Sequence, residues 1–134
     1  MENMIINHWA VFAAVVSDFL VGALWFSPIL FYKPWIKENK LTEEILKKSN
    51  PAVTYGLTFI FALIISYNLA AFLGDAKSDA AWGLTAGFLA GVWAACGFAI
   101  IALFEQKSAK YILIDCGYLL VAFSLKGLIL GAWR

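Results

Sequence analysis

Residues 80–104 read AAWGLTAGFLAGVWAACGFAIIALF, twenty-five consecutive positions without a charged side chain. At 1.5 Å per residue a helix of that length spans about 37 Å, more than the roughly 30 Å hydrocarbon core of a bilayer. The stretch therefore predicts a transmembrane helix. Gly83, Gly87, Gly91 and Ala95 recur every fourth residue, so they share one face. Overlapping GxxxG signatures extended by alanine predict a face where another backbone approaches closely. This span reads as the packing hub, either within one protomer or between protomers.

Working outward, polar turns bound the stretch, 74–79 before it and 105–110 after it, and three further apolar runs cover about 8–28, 51–73 and 110–133. Composition points the same way. The chain has 134 residues, 63% hydrophobic and 14% charged, where soluble domains are about 45–50% apolar and about a quarter charged. The expected fold is all-α: a polytopic membrane protein with four transmembrane helices in an antiparallel bundle, one domain over 1–134. A net charge of +1 gives no reason to expect nucleic acid as a partner. Cys96 and Cys116 both fall inside apolar runs, where thiols behave as small buried hydrophobes, so neither a disulfide framework nor a metal-ligand spacing is read from them.

The first span begins after Asn7, a suitable N-cap, and Pro28 supplies its stop. It reads as a retained helix rather than a signal peptide: residues 1–9 carry no Lys or Arg, and Asp18 interrupts the apolar run. Ala10, Ala14, Asp18 and Gly22 lie four apart on one face. A face of small residues packs against other helices, which turns Asp18 toward protein rather than lipid.

The loop 29–50 holds five of the ten basic residues. Phe31, Tyr32 and Trp35 suit the aromatic belt at headgroup level, and a short interfacial helix is expected from Thr42 to Lys48. In the second span Asn50 caps, Pro51 takes the first helical position, Ala62, Ser66 and Ala70 form another small stripe, and Asn68 is the strongly polar interior residue. The fourth span contains Asp115 and Lys126, about 16 Å apart along the axis and so unable to pair with each other. Lys33, Lys37, Lys40, Lys47, Lys48, Lys107 and Lys110 fall on one side of a four-span topology, against Lys77 and Arg134 on the other. The positive-inside rule then places both termini outside (periplasmic) and loops 29–50 and 105–110 in the cytoplasm of a cell whose inner membrane holds the protein.

Taken in order, Asn7-x-Trp9, Gly22-Ala-Leu-Trp-Phe-Ser-Pro28, Phe31-x-Lys-x-Trp35, Phe104-Glu, Ile114-Asp-Cys-Gly-Tyr118 and Leu128-Ile-Leu-Gly-Ala-Trp133 cover nearly the whole chain. This series resembles the bacterial domain-of-unknown-function family 1761. The resemblance implies a small four-helix integral membrane protein and brings no established activity with it. Two positions depart from the family's pattern: Leu119 stands where a His often follows the fourth-span Asp, and Tyr32 stands where Gly is often found. The absence of that His removes a titratable partner of Asp115 and weakens a proton-relay reading.

The candidate intramembrane polar site comprises Asp18, Lys126, Asp115 and Asn68. Counted from the outer surface on oppositely running helices, Asp18 and Lys126 differ in depth by only about 5 Å. They can pair if spans one and four touch; otherwise Lys126 snorkels outward. Asp115 either reaches the interface or bonds a hydroxyl such as Tyr55 or Tyr111. Trp25, Ser27, Phe31, Lys33 and Trp35 are either membrane anchors with a helix stop or an amphipathic pocket for a lipid headgroup or an aromatic cation. His8 is the one histidine, and no nucleophile–base pair, phosphate loop or metal-ligand set is present. The chain is therefore read as a non-enzyme with no cofactor and no metal. Its expected partners are the lipid bilayer and further copies of itself; no small-molecule ligand is identifiable. Two functions follow: a structural, accessory or lipid/partner-binding bundle, or a small oligomeric transporter or channel using Asp18.

Overall fold

The computed structural model describes residues 6–75 and 77–133. In chain order it contains α1 (His8–Trp25), α2 (Tyr32–Glu38), α3 (Glu43–Lys48), α4 (Pro51–Phe72), α5 (Ala80–Phe104) and α6 (Ala109–Ala132), with no strand among the described residues. α1, α4, α5 and α6 are each long and apolar enough to cross a membrane. They form a four-helix antiparallel bundle of a multi-pass membrane protein. Arg134, which enters the orientation count, lies outside the described residues.

Each long helix starts where a side chain satisfies its unpaired backbone donors. The Asn7 Oδ1 accepts from the Trp9 and Ala10 amides, at 3.0 and 3.3 Å. Asn50, Asp79 and Ser108 do the same for α4, α5 and α6. Pro51 occupies the first turn of α4, where a missing N–H is harmless.

Two local features differ from the sequence reading. The first span ends at Trp25, short of Pro28, because a residue preceding proline is pushed out of the helical region. The chain instead tightens: the Ser27 amide donates to Leu24 O, and Ser27 O then accepts from the Leu30 and Tyr32 amides. The loop 29–50 holds α2 as well as the expected short helix. Pro34 lies in the first turn of α2, where its lack of an N–H leaves no ladder bond unmade. α2 and α5 end alike. Lys40 (φ 55°) and Gln106 (φ 60°) take the left-handed conformation. The following amides, of Leu41 and Lys107, reach back to Ile36 O and Ala102 O in Schellman closures.

α5 and α6 make the most extensive contact in the bundle. A Cβ placed on Gly83 would strike Gly127 O and the Gly131 Cα, one on Gly87 would strike Phe123 O, and one on Gly127 would strike Gly83 O. The backbones touch directly, as expected where dispersion rather than water exclusion drives association. The glycine stripe of α5 is thus used inside the chain, against a Gly127-x-x-x-Gly131 stripe on α6. It is not left over for a second protomer.

α1 lies against α6 and α4, and α4 touches α6 more lightly. The small stripes Ala10–Ala14–Asp18 and Ala62–Ser66–Ala70 are buried. Ala10, Val11, Ala14, Leu69, Leu73 and Leu130 join in one apolar cluster. His8 Nδ1 and the Tyr67 hydroxyl, 2.8 Å apart, tie the first turn of α1 to α4. Bulky apolar side chains such as Trp93, 78% exposed, face outward, as they do toward lipid.

Candidate functional site

Three helices bring polar groups to one place inside the bundle. The small face of α1 lets α4 and α6 close in and carries Asp18 inward. From the opposite side Lys126 enters with the largest side chain among the fully buried residues. Lys126 Nζ lies 2.5 Å from Asp18 Oδ2, with the two side chains 1% and 10% exposed. The ammonium also donates to Ala62 O of α4 at 3.5 Å and stands 5.7 Å from the Phe123 ring centroid. One lysine thereby joins α1, α4 and α6.

Placing a single charge at the centre of a membrane helix costs about 2.5–3.5 kcal/mol on insertion scales. Pairing two opposite charges at contact offsets that cost, and their attraction is strongest where water is excluded. Neighbouring groups have their own partners. The Ser17 hydroxyl donates to Ala14 O at 2.6 Å, and the Tyr118 hydroxyl donates to the backbone carbonyl of Asp18 at 3.4 Å. Tyr118 also packs on Gly22, where a side chain's first carbon would meet its ring at ordinary contact distance.

Ser66 is different. It is fully buried, one turn beyond Ala62 on the same face of α4, and its hydroxyl has no hydrogen-bond partner among the described residues. A serine in a membrane helix ordinarily bonds the carbonyl four residues earlier. Here that carbonyl, Ala62 O, is the one that Lys126 approaches.

The other expected site residues do not join this group. Asn68 donates to Ile64 O within its own helix and lines a cleft of about 670 Å³ between α4 and α5, together with Phe72, Trp82, Trp93 and, from α6, Phe123. Asp115 lies beside Tyr111, one turn earlier on α6, and its Oδ1 has no hydrogen-bond partner among the described residues. Tyr55 packs on Phe19 instead, with ring centroids 6.3 Å apart. Cys96 and Cys116 are free thiols, and Cys116 donates to Ala95 O.

At the other end of α1 the expected aromatic pocket is divided. Trp25 Nε1 donates to Ile114 O at 2.8 Å. Its ring fits against Gly117, where a Cβ would collide with it. Phe31 covers Trp25 at 4.8 Å between centroids. Together with Pro34, Lys110 and Leu113 they line a cleft of about 510 Å³. Trp35 instead packs on Phe26, the Ser27 hydroxyl caps Leu24 O, and the lysine at the cleft is Lys110 rather than Lys33. Sequence reasoning missed Lys110 because it is brought there from the far end of the chain. It also missed Tyr118 as a neighbour of Asp18 and Ser66 as a buried, unpartnered hydroxyl, although Ser66 stands on a small-residue stripe visible in the sequence.

These features define an integral membrane protein of four spans with an ion pair buried between helices. The family model described as "Protein of unknown function (DUF1761)" matches residues 9–131, and the chain belongs to that family. No curated protein and no solved structure matches it.

Proposed function

We propose that the protein is a structural, lipid- and partner-binding bundle of a bacterial inner membrane rather than an enzyme. In this reading the Asp18–Lys126 pair is the clamp that fixes how α1, α4 and α6 assemble. The observation that carries it is the 2.5 Å contact between two buried charges on different helices, with the lysine also on a carbonyl of a third. A pair committed to three helices holds a packing arrangement. Self-association is supported by the open cleft between α4 and α5, where Asn68 places a polar group on an outward face. The lysine excess of loops 29–50 and 105–110 supports their cytoplasmic placement, with both termini outside.

The test is thermal unfolding of purified protein carrying Asp18→Asn, Lys126→Met and both together. Either single change leaves one buried group uncompensated and is expected to destabilise the bundle by about 3–5 kcal/mol, with the double variant recovering most of the loss. A double variant no more stable than the singles overturns the clamp.

A second reading, a small oligomeric transporter working through Asp18, is favoured by one observation. The unpartnered Ser66 hydroxyl stands one helical turn after Ala62, whose carbonyl Lys126 approaches, and offers a third polar group to a proton or small polar solute. Proteoliposome flux that depends on pH and vanishes in Asp18→Asn supports it; wild-type flux no greater than that of empty vesicles across a broad substrate panel rejects it.

A further inference from the structure

We propose that the cleft under the exit of α1 is a binding site for one anionic phospholipid, its phosphate on Lys110 and an acyl chain along Phe31, Leu113 and Ile114. The inference deepens the lipid-binding part of the reading above and rests on it.

The walls of the cleft are fixed by contacts that do not need a ligand. Trp25 is held by its hydrogen bond to Ile114 O, seated where Gly117 has no side chain, and covered by Phe31. Phe31 is in turn held by its amide's bond to Trp25 O at 3.1 Å. The resulting space, about 510 Å³, is within the range of pre-formed ligand sites. Its lining is apolar except for one cation. Leu113 is 72% exposed, so the open side faces the surrounding bilayer and a lipid enters laterally.

Charge selects the headgroup. Lys110 has no hydrogen-bond or ion-pair partner among the described residues, whereas the neighbouring Lys107 is occupied by Asn39 Oδ1 at 3.3 Å and the Tyr111 ring. Lys110 stands in the first turn of α6, at the membrane boundary. On the same side of the bundle Lys33, Lys37, Lys40, Lys47, Lys48 and Lys107 outnumber Glu38, Glu43, Glu44 and Glu105. A basic pocket between membrane helices on the lysine-rich side is the arrangement that recognises anionic headgroups. Inorganic phosphate would use the lysine but not the apolar wall. A phospholipid uses both.

The test is native mass spectrometry of the full chain released from bilayers of equimolar phosphatidylglycerol and phosphatidylcholine. One phosphatidylglycerol per chain is expected to be retained in preference to phosphatidylcholine. Lys110→Gln is expected to lower that retention about fivefold, the effect of one lysine near an anionic surface, and Leu113→Trp, which fills the cleft from its exposed side, to abolish it. Lys47→Gln should leave it unchanged. Equal retention of both lipids, an equal loss in Lys47→Gln, no loss in Leu113→Trp, or displacement by millimolar inorganic phosphate would each overturn the site. Both cleft variants keep Asp18 and Lys126, so unfolding of the charge variants judges the clamp separately: equal retention of the two lipids by the unsubstituted chain, with the clamp intact, defeats this inference alone.

Discussion

Lys126 shows how a single residue can be both the costliest and the most constraining part of a membrane fold. A lysine at this depth ordinarily extends toward the headgroups, yet its ammonium is turned inward to Asp18 and Ala62 O. Lys126→Arg is therefore not conservative: the larger, planar guanidinium must fit a space 1% exposed, and a loss of about 1–3 kcal/mol from overpacking is expected in thermal unfolding. At the interface, Trp25→Phe keeps the ring contact with Phe31 but removes the donor to Ile114 O. A loss of about 1 kcal/mol follows from an unmade hydrogen bond, readable in the same unfolding experiment.

Among the helices, α5 and α6 depend on residues defined by what they lack. Gly127→Ala would put a methyl group into Gly83 O. The helices would have to separate, with an expected loss of at least about 1–3 kcal/mol, of the order seen for overpacking. At Gly56 and Gly97 a side chain's first carbon would meet nothing within 4 Å. Alanine at either should be neutral or stabilise by up to about 1 kcal/mol through helix propensity. Unfolding of the three variants side by side checks the contrast. Gln106 adds an opposite case: glycine in its left-handed position should stabilise the end of α5 by about 1 kcal/mol.

What was legible in the sequence followed from these same distinctions. The spans were legible because uncharged apolar runs of bilayer length belong, with few exceptions, to membrane helices, and the Asp18–Lys126 match because depth can be counted along helices. The Gly127-x-x-x-Gly131 stripe stands in the sequence as plainly as that of α5, but without knowing that it faces α5 the destination of the α5 stripe stayed open. α2 was hidden by Pro34, whose tolerated first-turn position only the structure reveals. Lys110 and Ser66 acquire their meaning from residues on other helices, and no local pattern encodes that.

For the molecule as a whole, the four apolar helices establish a multi-pass membrane protein, and charge asymmetry supplies the expected orientation. Tags at the two ends should both be accessible from the periplasmic face, once the outer membrane is opened, and not from the cytoplasmic face. Protection of either, or mixed accessibility, would contradict the lysine count.

The clamp also bears on how the protein is made. Asp18 lies on α1 and Lys126 near the end of α6, so during translation the carboxylate enters the bilayer long before its partner exists. A chain that has not yet made α6 therefore carries an unpaired carboxylate in α1, and faster degradation is expected of it than of one in which the pair has formed. Chains truncated before α6 should turn over faster in cells than the full chain, and Asp18→Leu should lengthen the lifetime of the truncated form while leaving Lys126 stranded in the complete one. Pulse-chase comparison of the four chains measures both effects, and equal lifetimes for truncated chains with and without Asp18 would refute the idea.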